Sequence, residues 1–270
     1  RQWLNWLLIV MSIVFSSVSM ASGAPNCETL TATGNPEYPP YLWRASADGA
    51  ELVGAIPQVL DEIGRRLGVE IKVSYTGPWS RAQKEVRTGN VDLMAGAFFT
   101  SPRAQWMDYI HPPVMTTRSV VWIRENSELP YSDWNDLRPL EGVTIIHNSF
   151  GQAFDEFARN NLELRKVRSV QQAFRMLRRQ RVDYMLYEEK PAIVYARQLS
   201  LAEGVRSLSS EISSEDLYLA VSQESPCNTD KLREALARVV REVVDEGYAE
   251  QALNSAFLTT VGLKRVPTAD

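Results

Sequence analysis

The sequence predicts the α/β class, built as two α/β lobes with the second inserted into the first. Three observations carry the prediction. Residues 29–97 alternate strand and helix patterns in the order β-α-β-α-β, which reads as a parallel sheet covered by helices. The alternation restarts near residue 118 and runs to a helix that follows Pro191. The two cysteines, Cys27 and Cys227, flank this double pattern, and a bridge between them would join the first and last parts of the chain in one body.

The elements follow in order. Residues 29–34 read as a strand. Residues 54–68 read as a helix: Pro57 suits the first turn, Ile56, Val59, Leu60, Ile63 and Leu67 recur at helical spacing, and Gly68 ends it. Residues 70–75 alternate as a strand, 79–88 form a short helix closed by Gly89, and 91–97 form a buried strand. In the second block, 118–124 and 143–147 read as strands. Ser149-Phe150-Gly151-Gln152 reads as a capping box opening a helix that turns Ala153, Phe154 and Phe157 inward. Residues 164–167 form a short strand, and Ser169-Val170-Gln171-Gln172 a second capping box whose helix runs through Arg179. Residues 182–187 are a strand. Val91-Asp92-Leu93-Met94 and Val182-Asp183-Tyr184-Met185 form a small internal echo at the same point of the two blocks. Residues 217–221 close the strand pattern. A long helix over 228–246 packs with Leu232, Leu236, Val239, Val240, Val243 and Val244. The stretches 114–121 and 215–221 are the expected crossings between lobes, and the cleft between lobes is the natural ligand site.

The first residues bear on location. Leu7 to Val18 is an apolar run too short to span a bilayer, and small residues follow it. Ser19-Met20-Ala21 is the best cleavage triplet, and residues 1–24 are assigned to a secretory signal peptide, with a short membrane anchor as the alternative. The expected mature protein is exported and soluble. It carries 28 basic and 33 acidic side chains, net −5, since Arg1 is the one charge removed. That balance argues against nucleic acid, which calls for a basic patch. In an oxidising compartment the even cysteine count favours a Cys27–Cys227 disulfide over two separate thiols.

Four motifs, in order, carry a resemblance. Tyr38-Pro39-Pro40-Tyr41 precedes Gly54. Gly89-Asn90-Val91-Asp92 leads through Gly96 to Thr100-Ser101-Pro102-Arg103 and then Ile110-His111-Pro112-Pro113. Leu140-Glu141-Gly142-Val143 follows, and then Arg181-Val182-Asp183-Tyr184 with Glu188. With these the chain resembles the periplasmic solute-binding proteins of ABC importers, family 3, the amino-acid-binding type. The resemblance implies a two-lobe, Venus-flytrap fold with two hinge strands. It assigns lobe 1 to residues 25–115 and 216–270, and lobe 2 to 116–215. It implies a small carboxylate-bearing ligand, an amino acid or a relative of one, and a membrane permease as partner. Glu188 stands where the family usually has Asp, and Ile110-His111-Pro112-Pro113 stands where it has Phe-Ser-x-Pro.

Arg103 is the expected carboxylate anchor, because a guanidinium grips a carboxylate through two parallel hydrogen bonds. Thr100 and nearby backbone N–H groups complete that cradle. Glu188 offers a partner for a ligand cation, against the alternative of a solvated charge cluster with Glu189 and Lys190. Asn148 and Ser149 precede a helix whose free N–H groups favour an anion. Among the aromatics, Tyr41, Phe98 and Trp79 are candidate contacts. No cofactor is expected, and His111 and His147 have no metal-like partner spacing. No nucleophile elbow or phosphate loop is present. Two other readings remain. One is a periplasmic dehydratase acting on cyclohexadienyl acids, in which Glu188 is an acid or base. The other is an exported sensory protein that signals to a membrane receptor. A monomer is expected in each case.

Overall fold

The computed structural model describes residues 27–198, 200 and 203–262; the expected leader, 1–24, lies outside them. The first half of the chain forms β1 (Thr29–Thr33), β2 (Glu37–Tyr38), β3 (Leu42–Arg44), β4 (Leu52–Val53), α1 (Ala55–Leu67), β5 (Glu70–Val73), α2 (Trp79–Arg87), β6 (Leu93–Ala97) and β7 (Met107–Arg124). The second half forms β8 (Glu141–Ile145), α3 (Gln152–Asn161), β9 (Glu163–Val167), α4 (Val170–Arg178), β10 (Tyr184–Glu188), α5 (Glu189–Gln198), β11 (Val205–Ser222), α6 (Asp230–Asp245) and α7 (Tyr248–Gly262).

Eight strands make one sheet in the order β5-β1-β6-β11-β7-β10-β8-β9. Its two ends are parallel, β5-β1-β6 and β10-β8-β9, as the alternating pattern predicts. Its centre is the antiparallel pair β7–β11, each 18 residues long. A strand of that length spans about 60 Å, enough to serve both lobes. β6 joins β11 at residues 218–221, and β10 joins β7 at residues 119–122. The two long strands are the hinge strands; the predicted crossing 114–121 lies inside β7 and 215–221 lies in the last part of β11.

The cores divide accordingly. One cluster packs α1, α6 and α7 on the first half of the sheet; it draws residues from Leu30 to Met115 and again from Leu217 to Ala256. α2 covers the opposite face with Trp79, Ala82 and Val86. In the other half, β7 alternates: Val120 and Trp122 face α4 and α5, and Val121 and Ile123 face α3. Cys27 and Cys227 are bonded, which ties the strand-β1 end of the chain to the loop before α6.

Several elements escape the sequence pattern. β7 begins at Met107 and runs through Pro112 and Pro113, which normally interrupt a strand. The ladder tolerates them because its register shifts between Leu217 and Leu219, opposite that stretch. The first half of β11 is serine-rich and polar, so it reads as a loop. Helix α7 begins just after Gly247, whose φ of 74° breaks it from α6, and it buries Ala249, Ala252 and Ala256 on one face.

Candidate functional site

The cleft lies where the parallel strands of both lobes end. β6 delivers the first wall. Gly96 forms a bulge against β11, where Tyr218 pairs with Ala97 and Leu219 with Ala95. Its φ is 86°, and a Cβ there would meet Ile56 Cδ1 at 2.5 Å, so glycine is required. The bulge turns the chain through Phe98 into a short 3-10 turn, Arg103–Gln105. The Arg103 backbone N–H donates to Thr100 Oγ1 at 3.3 Å, which fixes the turn.

Arg103 is 7% exposed. Its guanidinium donates to the Phe98 carbonyl at 3.3 Å and to the His147 carbonyl, across the cleft, at 3.4 Å. The Trp79 ring lies 5.3 Å from it, in cation–π reach. Burial pulls its pKa down, opposed by Tyr109, Asp155 and Glu188. Among the described residues it forms no ion pair, so its charge is held by carbonyl dipoles and the Trp79 ring and has no protein carboxylate as partner.

Glu188 ends β10 opposite Ser119 of β7. It is 2% exposed, and its Oε2 has no hydrogen-bond partner among the described residues. Burial pushes its carboxyl up to about 7, while its own backbone N–H, the neighbouring Asn148 amide and the Arg103 charge pull the other way. The solvated-cluster alternative therefore fails for Glu188, although Glu189 and Lys190 are partly exposed.

Arg103 and Glu188 line one cavity of about 20 Å³, together with Trp79, Phe98, Asn148 and Ser149. Tyr38 lines it too, and its hydroxyl, like the Asn148 Nδ2, is buried without a partner. A groove of about 580 Å³ adjoins this cavity and shares Arg103, Asn148 and Ser149 with it; Thr100 lies on the groove wall. More contacts cross between the lobes. Gln152 Oε1 accepts from the Ser101 backbone N–H at 3.1 Å and from its hydroxyl at 2.7 Å, and the Tyr187 hydroxyl donates to the Glu37 carbonyl at 2.7 Å.

The structure thus gathers seven of the eight predicted residues at the cavity or its groove. Tyr41 is set apart. It is fully buried behind Tyr38, stacked on it at 4.8 Å between centroids, and its hydroxyl lies 3.5 Å from the Thr116 carbonyl. Sequence reasoning passed over Tyr38 as a lining residue; the signal was the same Tyr-Pro-Pro-Tyr motif, whose alternation does not say which tyrosine faces the cleft. The capping box at Ser149 also differs. The N-cap of helix α3 is Gly151, with φ 90°, and Ser149 instead donates its hydroxyl to Asp155. Asp155 also accepts from the Phe150 N–H at 2.9 Å and so takes over the capping role one turn inside the helix. Glu215 of β11 lies against Gly151, and burial, with Asp155 and Asp216 nearby, pushes its carboxyl up to about 7. Among the described residues no cluster of three or more His, Cys, Asp or Glu side chains could hold a metal ion.

Over residues 30–258 the chain matches the family model of the bacterial extracellular solute-binding proteins, family 3. Among solved structures it is similar to a mutant of ArgBP from T. maritima, at 21% identity over 85% of this chain and 95% of that one, with a TM-score of 0.70. It is similar to a histidine kinase sensor domain with similarity to periplasmic binding proteins, at 21% identity over 86% and 96%, TM-score 0.71. A third is the amino acid ABC transporter substrate-binding protein AbpA from Streptococcus pneumoniae bound to L-arginine, at 19% identity over 87% and 96%, TM-score 0.70. At these identities the likeness is one of fold. No curated protein matches the chain in sequence.

Proposed function

We propose, from the premise that this chain belongs to the bacterial extracellular solute-binding proteins, family 3, that it captures a small amino-acid-like ligand between its lobes. The ligand carboxylate sits on Arg103 and its ammonium on Glu188. The protein is exported to the periplasm by its leader, acts as a monomer and hands its ligand to an ABC-type permease. Residues 25–115 with 216–270 form the first lobe, and 116–215 the second.

One observation carries the reading. A buried cation from one lobe and a buried carboxyl from the other line the same cavity, each without an ionic partner among the described residues. Uncompensated buried charge costs several kcal/mol. A zwitterion placed between them offsets both costs at once. It also draws the lobes together, because its two ends are held from opposite sides. Tyr38 and the Asn148 amide supply the remaining hydrogen bonds.

A thermal-shift panel of amino acids, amines and small carboxylates tests this on wild type and Arg103→Ala. A true ligand at a hundredfold excess over Kd stabilises wild type by ~2.7 kcal/mol. Arg103→Ala should lose ~2–5 kcal/mol of binding, and Arg103→Lys should recover only part. A ligand that binds folded Arg103→Ala as well as wild type would place the carboxylate anchor elsewhere.

A carboxyl near 7 in a cleft also suits a general acid or base. That is the one observation favouring the dehydratase reading. Incubation with prephenate or arogenate separates the two, since turnover abolished in Glu188→Gln would make this chain an enzyme.

A further inference from the structure

We propose that the ligand carries a second acidic group, so that the cleft takes an overall anion in preference to a neutral or basic amino acid. This rests on the binding reading above and narrows its substrate class.

The groove outside the Arg103 cavity carries the argument. One wall is α2, which presents Lys84 and Arg87, three residues apart and so on one helix face. The opposite wall is α3, which presents Arg159. None of the three is in an ion pair among the described residues; α2's other paired charges, Arg81 and Glu85, satisfy each other. The groove's carboxylates are Asp155 and Glu156. Asp155 is already engaged, one oxygen by the Ser149 hydroxyl and the other by the Phe150 N–H. With Arg103, four cations therefore face two carboxylates in a chain whose net charge is −4. A local field opposite in sign to the whole molecule selects for anions.

The walls add a second argument. Lys84 and Arg87 stand across the groove from Arg159, like charge opposite like charge. A distal acidic group placed between them turns that repulsion into attraction and favours closure. A guanidinium tail would find only Glu156 uncommitted. The groove volume, about 580 Å³, lies within the range of small-ligand sites.

Calorimetry with L-glutamate, L-glutamine, L-arginine and glutarate tests the proposal, because glutamate and glutamine differ in charge and hardly in size. Exposed charges each contribute little, so the expected preference for glutamate over glutamine is about three- to thirtyfold at low salt, shrinking at high salt. In the triple variant Lys84→Gln, Arg87→Gln, Arg159→Gln the preference should vanish while glutamine affinity holds. Glutamine or arginine binding as tightly as glutamate overturns the proposal. So does a preference that survives in the triple variant, or an absence of binding by both acidic probes. Arg103→Ala, run alongside, keeps the two readings apart. If it abolishes binding of a ligand that proves neutral or basic, only the second acidic group is lost. If it binds normally, the anchor itself is wrong.

Discussion

At the scale of single residues, the cleft turns on Glu188. Burial dominates its environment and lifts its carboxyl from 4.5 to about 7. The native state thus holds this proton more tightly than the unfolded chain does. The stability it contributes is fully present below pH 4.5 and is lost as pH rises toward 7, by about 3 kcal/mol, with no further loss above. Glu188→Gln should flatten that slope, so chemical denaturation at pH 5 and pH 8 should show the variant gaining on wild type only at pH 8. Equal slopes in the two proteins would mean the carboxyl is solvated. An ammonium ligand has the opposite dependence, since it needs the carboxylate; its affinity should rise with pH up to about 7 and then level. The residue types and places of Arg103 and Glu188 were legible from motif spacing. The burial of Glu188 was not, because the adjacent Glu189-Lys190 looks like solvated surface, and only the β10–β7 pairing turns Glu188 inward.

At the scale of elements, two glycines aim the walls. Gly96 bulges β6 to present Arg103, and Gly151 is the N-cap of α3 at the cleft. A Cβ on Gly151 would clash with the Glu215 carboxylate, and its φ of 90° disfavours other residues. Gly151→Ala should therefore destabilise by ~1–3 kcal/mol for the backbone alone, and more for the clash. Adding Glu215→Ala should recover the clash but not the backbone cost. Thermal melts of the single and double variants check this; a single variant as stable as wild type would refute it. The helices α1, α2, α4 and α6 were legible because their apolar spacing and end signals agree. The ends of the long strands were not. Pro112-Pro113 and the serine-rich start of β11 oppose strand propensity locally, and the pairing of the two strands over their length overrides it. The Ser149 box failed because a stronger acceptor, Asp155, captured both the serine and the local backbone.

At the scale of the whole molecule, one sheet is shared by two cores, and only β7 and β11 run through both. The disulfide and the α6–α7 helices bind the chain's return into the first body, so the second body is held by the two long strands. That connection lets one body swing on the other while both keep their cores. Four side-chain contacts join the two walls of the cleft: Ser101–Gln152, Arg103–His147, Gln83–His147 and Tyr187–Glu37. They are few and polar, so a ligand with one end on each lobe can govern the balance between open and closed forms. The inserted topology was legible from the repeated α/β pattern and the cysteine placement, whereas these closing contacts depend on side-chain geometry that no periodicity encodes. The central claim is that the lobes close on a ligand held between Arg103 and Glu188. Small-angle scattering of the protein with and without a saturating ligand from the thermal-shift panel tests it most directly. A smaller radius of gyration on binding, absent in Arg103→Ala, is the predicted result; an unchanged radius in saturated wild type would contradict it.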